Sequence, residues 1–468
     1  MIQASGPRDL KSAAARLPDP LTLEAWDAAH LWHPFTPHSV YRDEEPLMIV
    51  AGEGNYLIDI EGRRYLDGVA SLWCNLFGHR RAEIDEAVAG QLGRIAHSTL
   101  LGHTQVPAIL LARRLAEIAP PGLVRIFFSD DGSTAVEVAL KMALQFWQQY
   151  EDGKEAQRTF FLTLGGAYHG DTVGSVSLGG IDLFHGRYRP LLFETIRAPS
   201  PYCYRCPLGL ERQTCSLDCL GELERLAREH GNQLAAIVLE SGLQGAAGMV
   251  VQPEGYLRRV RDVARETGAL LVLDEVAVGF GRSGRMFACE REGVSPDLLC
   301  VAKGLTGGYL PMAATLTTER VFGAFLGAPS EGRTFFHGHT YTGNQLAATA
   351  ALATLDIFER DRVLERLPEK IGHLSGELAR LDAQPAVGEV RQFGLAAGIE
   401  LVADRATRAS FPPDERRGMR VCRAARRHGV FLRPLGDVIV LMPPLSITLE
   451  EITLLVDAIA AGIEEVCG

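Results

Sequence analysis

Two short apolar runs in this chain end in charge, and that pattern limits the folds open to it. Leu270-Leu271-Val272-Leu273 runs into Asp274 and Glu275, and Leu298-Leu299-Cys300-Val301-Ala302 runs into Lys303, followed by Gly304. Unbroken apolar runs of this length suit strands covered on both faces, as in a parallel sheet. Charges at the C-terminal ends of such strands fall at the edge where open α/β folds place their ligands. A lysine withdrawn from water there has a lowered pKa, and its amine can form a Schiff base with a carbonyl. Taken alone, two unrelated strand-end charges explain the pattern equally well.

The rest of the chain extends the pattern. Strand-like runs recur at 125–128, 160–164, 175–178, 235–239, 269–273, 298–302 and 312–316, with helical spacing between most of them, as at 135–149 and 255–267. This predicts an α/β fold with a mostly parallel seven-stranded sheet in a large domain, 76–345. Residues 1–75 read as an N-terminal arm with a hairpin turning at Ile60-Glu61-Gly62-Arg63. From 346 to 468 helices and short strands alternate differently, as in a small α+β domain.

Composition excludes several classes of partner. The net charge of −11 speaks against nucleic acid and anionic membranes. No run approaches the roughly 18–20 apolar residues of a membrane span. The first twenty residues lack the apolar core of a leader, so a cytoplasmic location is expected. Nine cysteines, an odd number in a long chain, argue against a secreted disulfide framework. Four of them, Cys203, Cys206, Cys215 and Cys219, have spacing that could close a tetrahedral zinc site or merely sit in a reduced loop.

Three polar segments follow strand-like runs. Asp130-Asp131-Gly132-Ser133-Thr134 opens a helix, where backbone N–H groups, dipole and hydroxyls make an anion site. Thr134 and Glu137 fit a capping box there. Tyr168 lies between Gly166 and Gly170 and suits a flat ring against it. Gly338-His339-Thr340-Tyr341-Thr342-Gly343 offers further donors. Each alone fits an ordinary turn. With Lys303 and Asp274 they are what pyridoxal phosphate requires: an amine, a carboxylate for the pyridine nitrogen, an aromatic wall and a phosphate cradle.

At these residues the chain resembles the class III, fold-type-I pyridoxal-phosphate aminotransferases. LVLDEVAVGFGRSGR (271–285), Pro296-Asp297 and Ala302-Lys303-Gly304 carry the resemblance. LWHPFT (31–36), IAHSTLLG (95–102), GSTAVEVALKMALQFW (132–147), YHGDTVGSVS (168–177), QGAAGM (244–249), MFACE (286–290), HGHTYTGNQLA (337–347) and RPLGDVIVLMPPL (433–445) point to its biotin-synthesis branch. The resemblance implies roles. Lys303 binds the cofactor and moves the proton, Asp274 pairs with its ring nitrogen, Tyr168 stacks on it, and Gly132 and Ser133 hold its phosphate. Thr340 reaches the phosphate of a partner subunit in a homodimer with shared sites. Trp73, Arg282, Gly338 and Arg433 face substrate, Arg433 as a carboxylate clamp. Asp131, where the family has a small residue, is expected to turn outward. Leu72, Phe35 and Val440 replace aromatic or hydroxyl residues of members that use S-adenosylmethionine and resemble more the branch that uses lysine, so the amino donor is S-adenosylmethionine or lysine, with these residues leaning to lysine. An ω-amino acid or diamine:pyruvate aminotransferase shares the same core. A non-catalytic binding protein of the same fold is the alternative from another class.

Overall fold

The computed structural model describes residues 18–41, 43 and 45–468. The first 17 residues, on which the leader expectation rests, lie outside that range. The chain forms two compact units, and the smaller contains 18–51 and Leu57–Arg64. In it, the helix Pro20–His30 starts at Asp19, whose carboxylate accepts from Thr22 N (3.0 Å). The expected hairpin turn is closed by Asp59, which accepts from the Glu61 and Arg63 backbone N–H groups and from Arg63 Nε.

The larger unit, Gly52–Tyr56 with Tyr65–Gly468, holds the seven-stranded sheet. Its strands are β1 (Leu123–Ser129), β2 (Phe160–Leu164), β3 (Ile196–Ala198), β4 (Leu234–Glu240), β5 (Leu270–Asp274), β6 (Leu298–Val301) and β7 (Ala313–Thr318). The spatial order is β1-β7-β6-β5-β4-β2-β3. All neighbours are parallel except β7, which runs against both β6 and β1. Every residue of β4, β5 and β6 is buried. Alternate side chains of β5 enter different cores: Leu270 and Val272 join the helix Gly132–Gln149, and Leu271 and Leu273 join the helix Tyr256–Thr267. Strand periodicity thus covers both sheet faces with helices.

One strand expectation fails. Residues 175–178 lie in the helix Val173–Leu178, and Ile196–Ala198 supplies the seventh strand. The hydroxyls of 175–178 bond backbone oxygens in this helical form: Ser177 Oγ donates to Val173 O (2.7 Å) within the helix and Ser175 Oγ to Ser133 O (3.0 Å). Glu137 fixes the start of this helix by accepting from Gly174 N (2.6 Å).

Toward the C-terminus, Val387–Phe393, Ala396–Leu401, Val438–Leu441 and Arg433–Leu435 form an antiparallel sheet in that order. The helices Arg417–Arg426 and Leu449–Cys467 pack closely: a Cβ on Gly462 would lie 2.9 Å from Val421 O.

Candidate active site

Consecutive strand residues point to opposite faces, and Asp274 and Glu275 part company accordingly. Glu275 turns away and accepts from Ala288 N (2.6 Å) and Cys289 N (2.7 Å), a structural role. Asp274, buried, accepts from Val276 N (2.9 Å) and pairs through Oδ2 with His169 Nδ1 (2.7 Å). β5 and β6 are adjacent and in register, Asp274 opposite Cys300, so Lys303 emerges just beyond the same edge. Lys303 is partly buried and takes a left-handed backbone, φ +44°. Burial pushes its amine pKa down, while the charges of Asp274, Cys74 and Glu240 oppose the shift. The same burial raises Glu240 to about 7, with Asp274 adding to the rise and His169 opposing it.

The helix Gly132–Gln149 starts at the neighbouring edge. Its cap is Asp131, not Thr134 with Glu137: Asp131 Oδ1 accepts from Thr134 N (2.9 Å) and Thr134 Oγ1 from Asp131 N (3.1 Å). Asp131 is exposed and turned to this task, as expected. Capping consumes the third N–H of the helix and leaves those of Gly132 and Ser133 for an anion. Gly132 tolerates no side chain, since a Cβ would lie 2.5 Å from Val276 Cγ1. Ser133 Oγ bonds Thr172 Oγ1 (2.8 Å) and accepts from Thr172 N (3.0 Å).

Tyr168 donates through Oη to Asp171 (2.8 Å) and through its backbone N–H to Glu240 (3.2 Å). One face of its ring lies nearly parallel to His185, with 6.1 Å between centroids and an 11° tilt. His169, Glu240, Thr172 and Val276 were not singled out from sequence. The strand ends were the available signal, because Glu240 closes β4 as Asp274 closes β5.

Trp73 completes the cluster, its ring 4.7 Å from Lys303 Nζ. A Cβ on Gly245 would meet the indole at 3.2 Å. The segment carrying Trp73 is unusual. Ala70, Ser71, Leu72 and Trp73 all have positive φ (+46°, +50°, +79°, +69°), a left-handed turn made without glycine. Such a conformation costs L-residues about 1–2 kcal/mol each.

Other expected residues sit apart. No hydrogen bond or ion pair among the described residues joins Thr340, Gly338 or Arg433 to this cluster. Thr340 is exposed, and its carbonyl accepts from His97 Nε2 (2.9 Å). Gly338 faces open space. Arg433 is exposed opposite Val440 in the edge strand. Arg282 is 1% exposed and donates to the carbonyls of Leu395 and Pro443, while Nε and NH2 have no partner among the described residues. Burial lowers its pKa to about 9, with Cys74 opposing the shift. The four clustered cysteines do not assemble a metal site: among the described residues no group of three or more His, Cys, Asp or Glu is placed to hold one. Cys203 Sγ points to Pro201 O (3.8 Å) and Cys215 Sγ to Asp218 (3.3 Å), while burial and the nearby thiols of Cys203, Cys215 and Cys206 push the Cys219 thiol up to about 11.

The arrangement joins an amine of lowered pKa, a buried carboxylate, an aromatic face and a helix N-terminus. That donor set, with Gly132 stripped to backbone beside Val276, fits pyridoxal phosphate. The sequence matches the class-III aminotransferase family over residues 39–463, and the chain belongs to that family. A Geobacter sulfurreducens protein named adenosylmethionine-8-amino-7-oxononanoate aminotransferase is 56% identical over 451 residues, spanning 96% of this chain and 99% of its own. The crystal structure of the protein so named from Methanocaldococcus jannaschii matches with a TM-score of 0.91 at 46% identity, over 96% of this chain and 100% of that one. An amine transaminase from an uncultivated Pseudomonas species, solved with pyridoxal phosphate bound, gives 0.87 at 37% identity over 93% and 99%. The protein is a pyridoxal-phosphate-dependent aminotransferase of fold type I.

Proposed function

We propose that this chain transfers an amino group from S-adenosylmethionine to the ketone of 8-amino-7-oxononanoate, giving the 7,8-diamine of biotin synthesis. The names of its relatives support the substrate pair. The observation that carries the chemistry is Lys303: an amine of lowered pKa at the edge where buried Asp274 ends the neighbouring strand.

Bound there, pyridoxal phosphate supplies an aldehyde for the amine and a ring that accepts electron density from the reacting carbon. The protein's residues do the rest. Lys303, whose burial favours the neutral amine, accepts a proton at Nζ from the reacting carbon and returns it two atoms away. Asp274, oriented by His169, holds a proton on the ring nitrogen. Tyr168 covers one ring face, and the N–H groups of Gly132 and Ser133 with the Ser133 hydroxyl take the phosphate. Arg433, exposed and without an ion-pair partner among the described residues, is the clamp for the acceptor's carboxylate. Arg282 keeps two nitrogens, unpartnered among the described residues, for an acidic group of the donor. Trp73 walls the substrate path.

The active unit is a homodimer. Leu101 and Phe336 are 87% and 82% exposed, and Phe336 lies two residues from the Gly338–Thr340 loop. We read these exposed side chains as part of a pairing surface, and pairing gives Thr340 a partner's phosphate to reach. The functional division is an arm (1–75), a cofactor-binding part (76–345) and a C-terminal part (346–468), in the cytoplasm. No described helix is long and apolar enough to cross a membrane.

Lysine as donor is the second reading, favoured by aliphatic Leu72, 56% exposed beside Trp73. Holoenzyme is incubated with 8-amino-7-oxononanoate and S-adenosylmethionine, lysine or alanine separately, and the diamine is followed by mass spectrometry. Diamine formed with S-adenosylmethionine is expected. Diamine formed with lysine alone reassigns the donor. With pyruvate added as a competing acceptor, amination of pyruvate and none of the oxononanoate overturns the proposal.

A further inference from the structure

The left-handed Ala70–Trp73 turn needs something to hold it, and a buried carboxylate with no part in the chemistry is in place to do so. Asp67 is fully buried at the end of a short strand (Arg64–Asp67) in which Leu66 and Asp67 pair with Val430 and Phe431. One carboxylate oxygen accepts from Ser71 N (3.0 Å), and the other from Ser71 Oγ (2.7 Å) and His79 Nε2 (3.2 Å). His79 is itself immobilised. Its backbone exchanges hydrogen bonds with Gly54 (2.6 and 3.2 Å), and a Cβ on Gly52 would lie 2.5 Å from its ring. Asn75 also contacts the ring, at 3.2 Å from Nδ1. Within the turn, Trp73 N donates to Val69 O (2.7 Å) and Cys74 N to Ala70 O (3.0 Å). These bonds form equally well in a right-handed turn, which L-residues prefer. The contacts specific to the observed hand are those of Ser71 with Asp67.

We propose that Asp67 is a positioning residue: its carboxylate, braced by His79, locks the left-handed turn and thereby keeps Trp73 against Lys303. Loss of the lock lets the turn relax and withdraws the indole from the substrate path. Lys303 and Asp274 rest on other strands and stay in place. The effect therefore falls on substrate affinity rather than on chemistry. The inference rests on the aminotransferase reading of Lys303, but not on which amine is the donor.

The test uses holoenzyme labelled with 5-fluorotryptophan and observed by fluorine NMR without substrate, with Trp73→Phe assigning the Trp73 line. In Asp67→Asn that line shifts or broadens. The line of Trp147, whose indole donates to Ala235 O in the core (2.8 Å), stays. KM for S-adenosylmethionine or lysine, whichever the wild type uses, rises about tenfold while kcat changes less than about threefold. Adding Leu72→Gly, which accepts positive φ freely, returns the Trp73 line and KM toward wild type. An unmoved Trp73 line in Asp67→Asn, or no recovery with Leu72→Gly, overturns the proposal. If Asp67→Asn does not fold and the Trp147 line is lost too, Ser71→Ala removes one contact and gives a smaller shift of Trp73. No shift there also overturns it. The NMR result needs no amine, so a wrong donor would disturb only the kinetics.

Discussion

Two sides of the site are built on opposite terms. Asp274 ends β5 and Lys303 follows two residues after β6, the adjacent parallel strand, both strands being buried throughout and in register. Trp73, facing the same amine, stands on four residues in a backbone hand that L-residues avoid. The first side obtains its geometry mostly from regular structure, with a single left-handed residue at Lys303. The second obtains it from strain, held by a few polar contacts. Rigidity suits the groups that hold and move protons. A strained wall can be re-tuned without disturbing them, which suits the part that selects the amine.

Substitutions on each side should separate the two. Asp274→Asn should have the largest effect of those considered, a fall in kcat of about 10²–10³-fold with a small change in KM, measured at steady state. A rise in KM at constant kcat would move Asp274 to the selective side. Arg433→Ala should raise KM for 8-amino-7-oxononanoate about 10–100-fold and leave kcat nearly unchanged, and Arg433→Lys should recover little because a bidentate clamp is lost. Gly132→Ala forces a Cβ into Val276 and should cost about 1–3 kcal/mol. It should also loosen pyridoxal phosphate, seen as a smaller rise in melting temperature when cofactor is added.

The smallest effect is a pH slope. Glu240 titrates near 7 in the fold and near 4.5 unfolded. Between those values the folded state binds more protons, so its contribution makes stability fall as pH rises through the window. Glu240→Gln should flatten that part of the stability profile in denaturant titrations from pH 4.5 to 8. Lys303 acts with the opposite slope at higher pH. Its lowered pKa means the unfolded chain binds more protons below 10.5, so stability rises with pH there.

The strand-end charges were legible because withdrawing a carboxylate or an amine from water at the end of a buried run costs free energy that a partner or a ligand must offset. Sequence did not say which of Asp274 and Glu275 faces the site, since that depends on pleat phase. It offered Glu137 as a cap, whereas Glu137 holds the helix Val173–Leu178. It made 175–178 a strand, although the hydroxyls there bond backbone oxygens in a helical form. The cysteine spacing suggested a metal site, but spacing says nothing about where a loop sends its thiols. The Ala70–Trp73 turn was invisible: nothing in Ala-Ser-Leu-Trp advertises positive φ, and its partner Asp67 lies in a strand. The loop of Gly338 and Thr340 was read from sequence as a source of donors, but its phosphate and substrate roles came through the family resemblance.

The central claim is that Lys303 carries the cofactor, and the chain makes it easy to test. It has five lysines, at 11, 141, 154, 303 and 370. Holoenzyme reduced with borohydride, digested and mapped by mass spectrometry should carry a pyridoxyl phosphate group on Lys303 alone. Modification of another lysine with Lys303 untouched, or none at all in protein saturated with pyridoxal phosphate, would contradict the account.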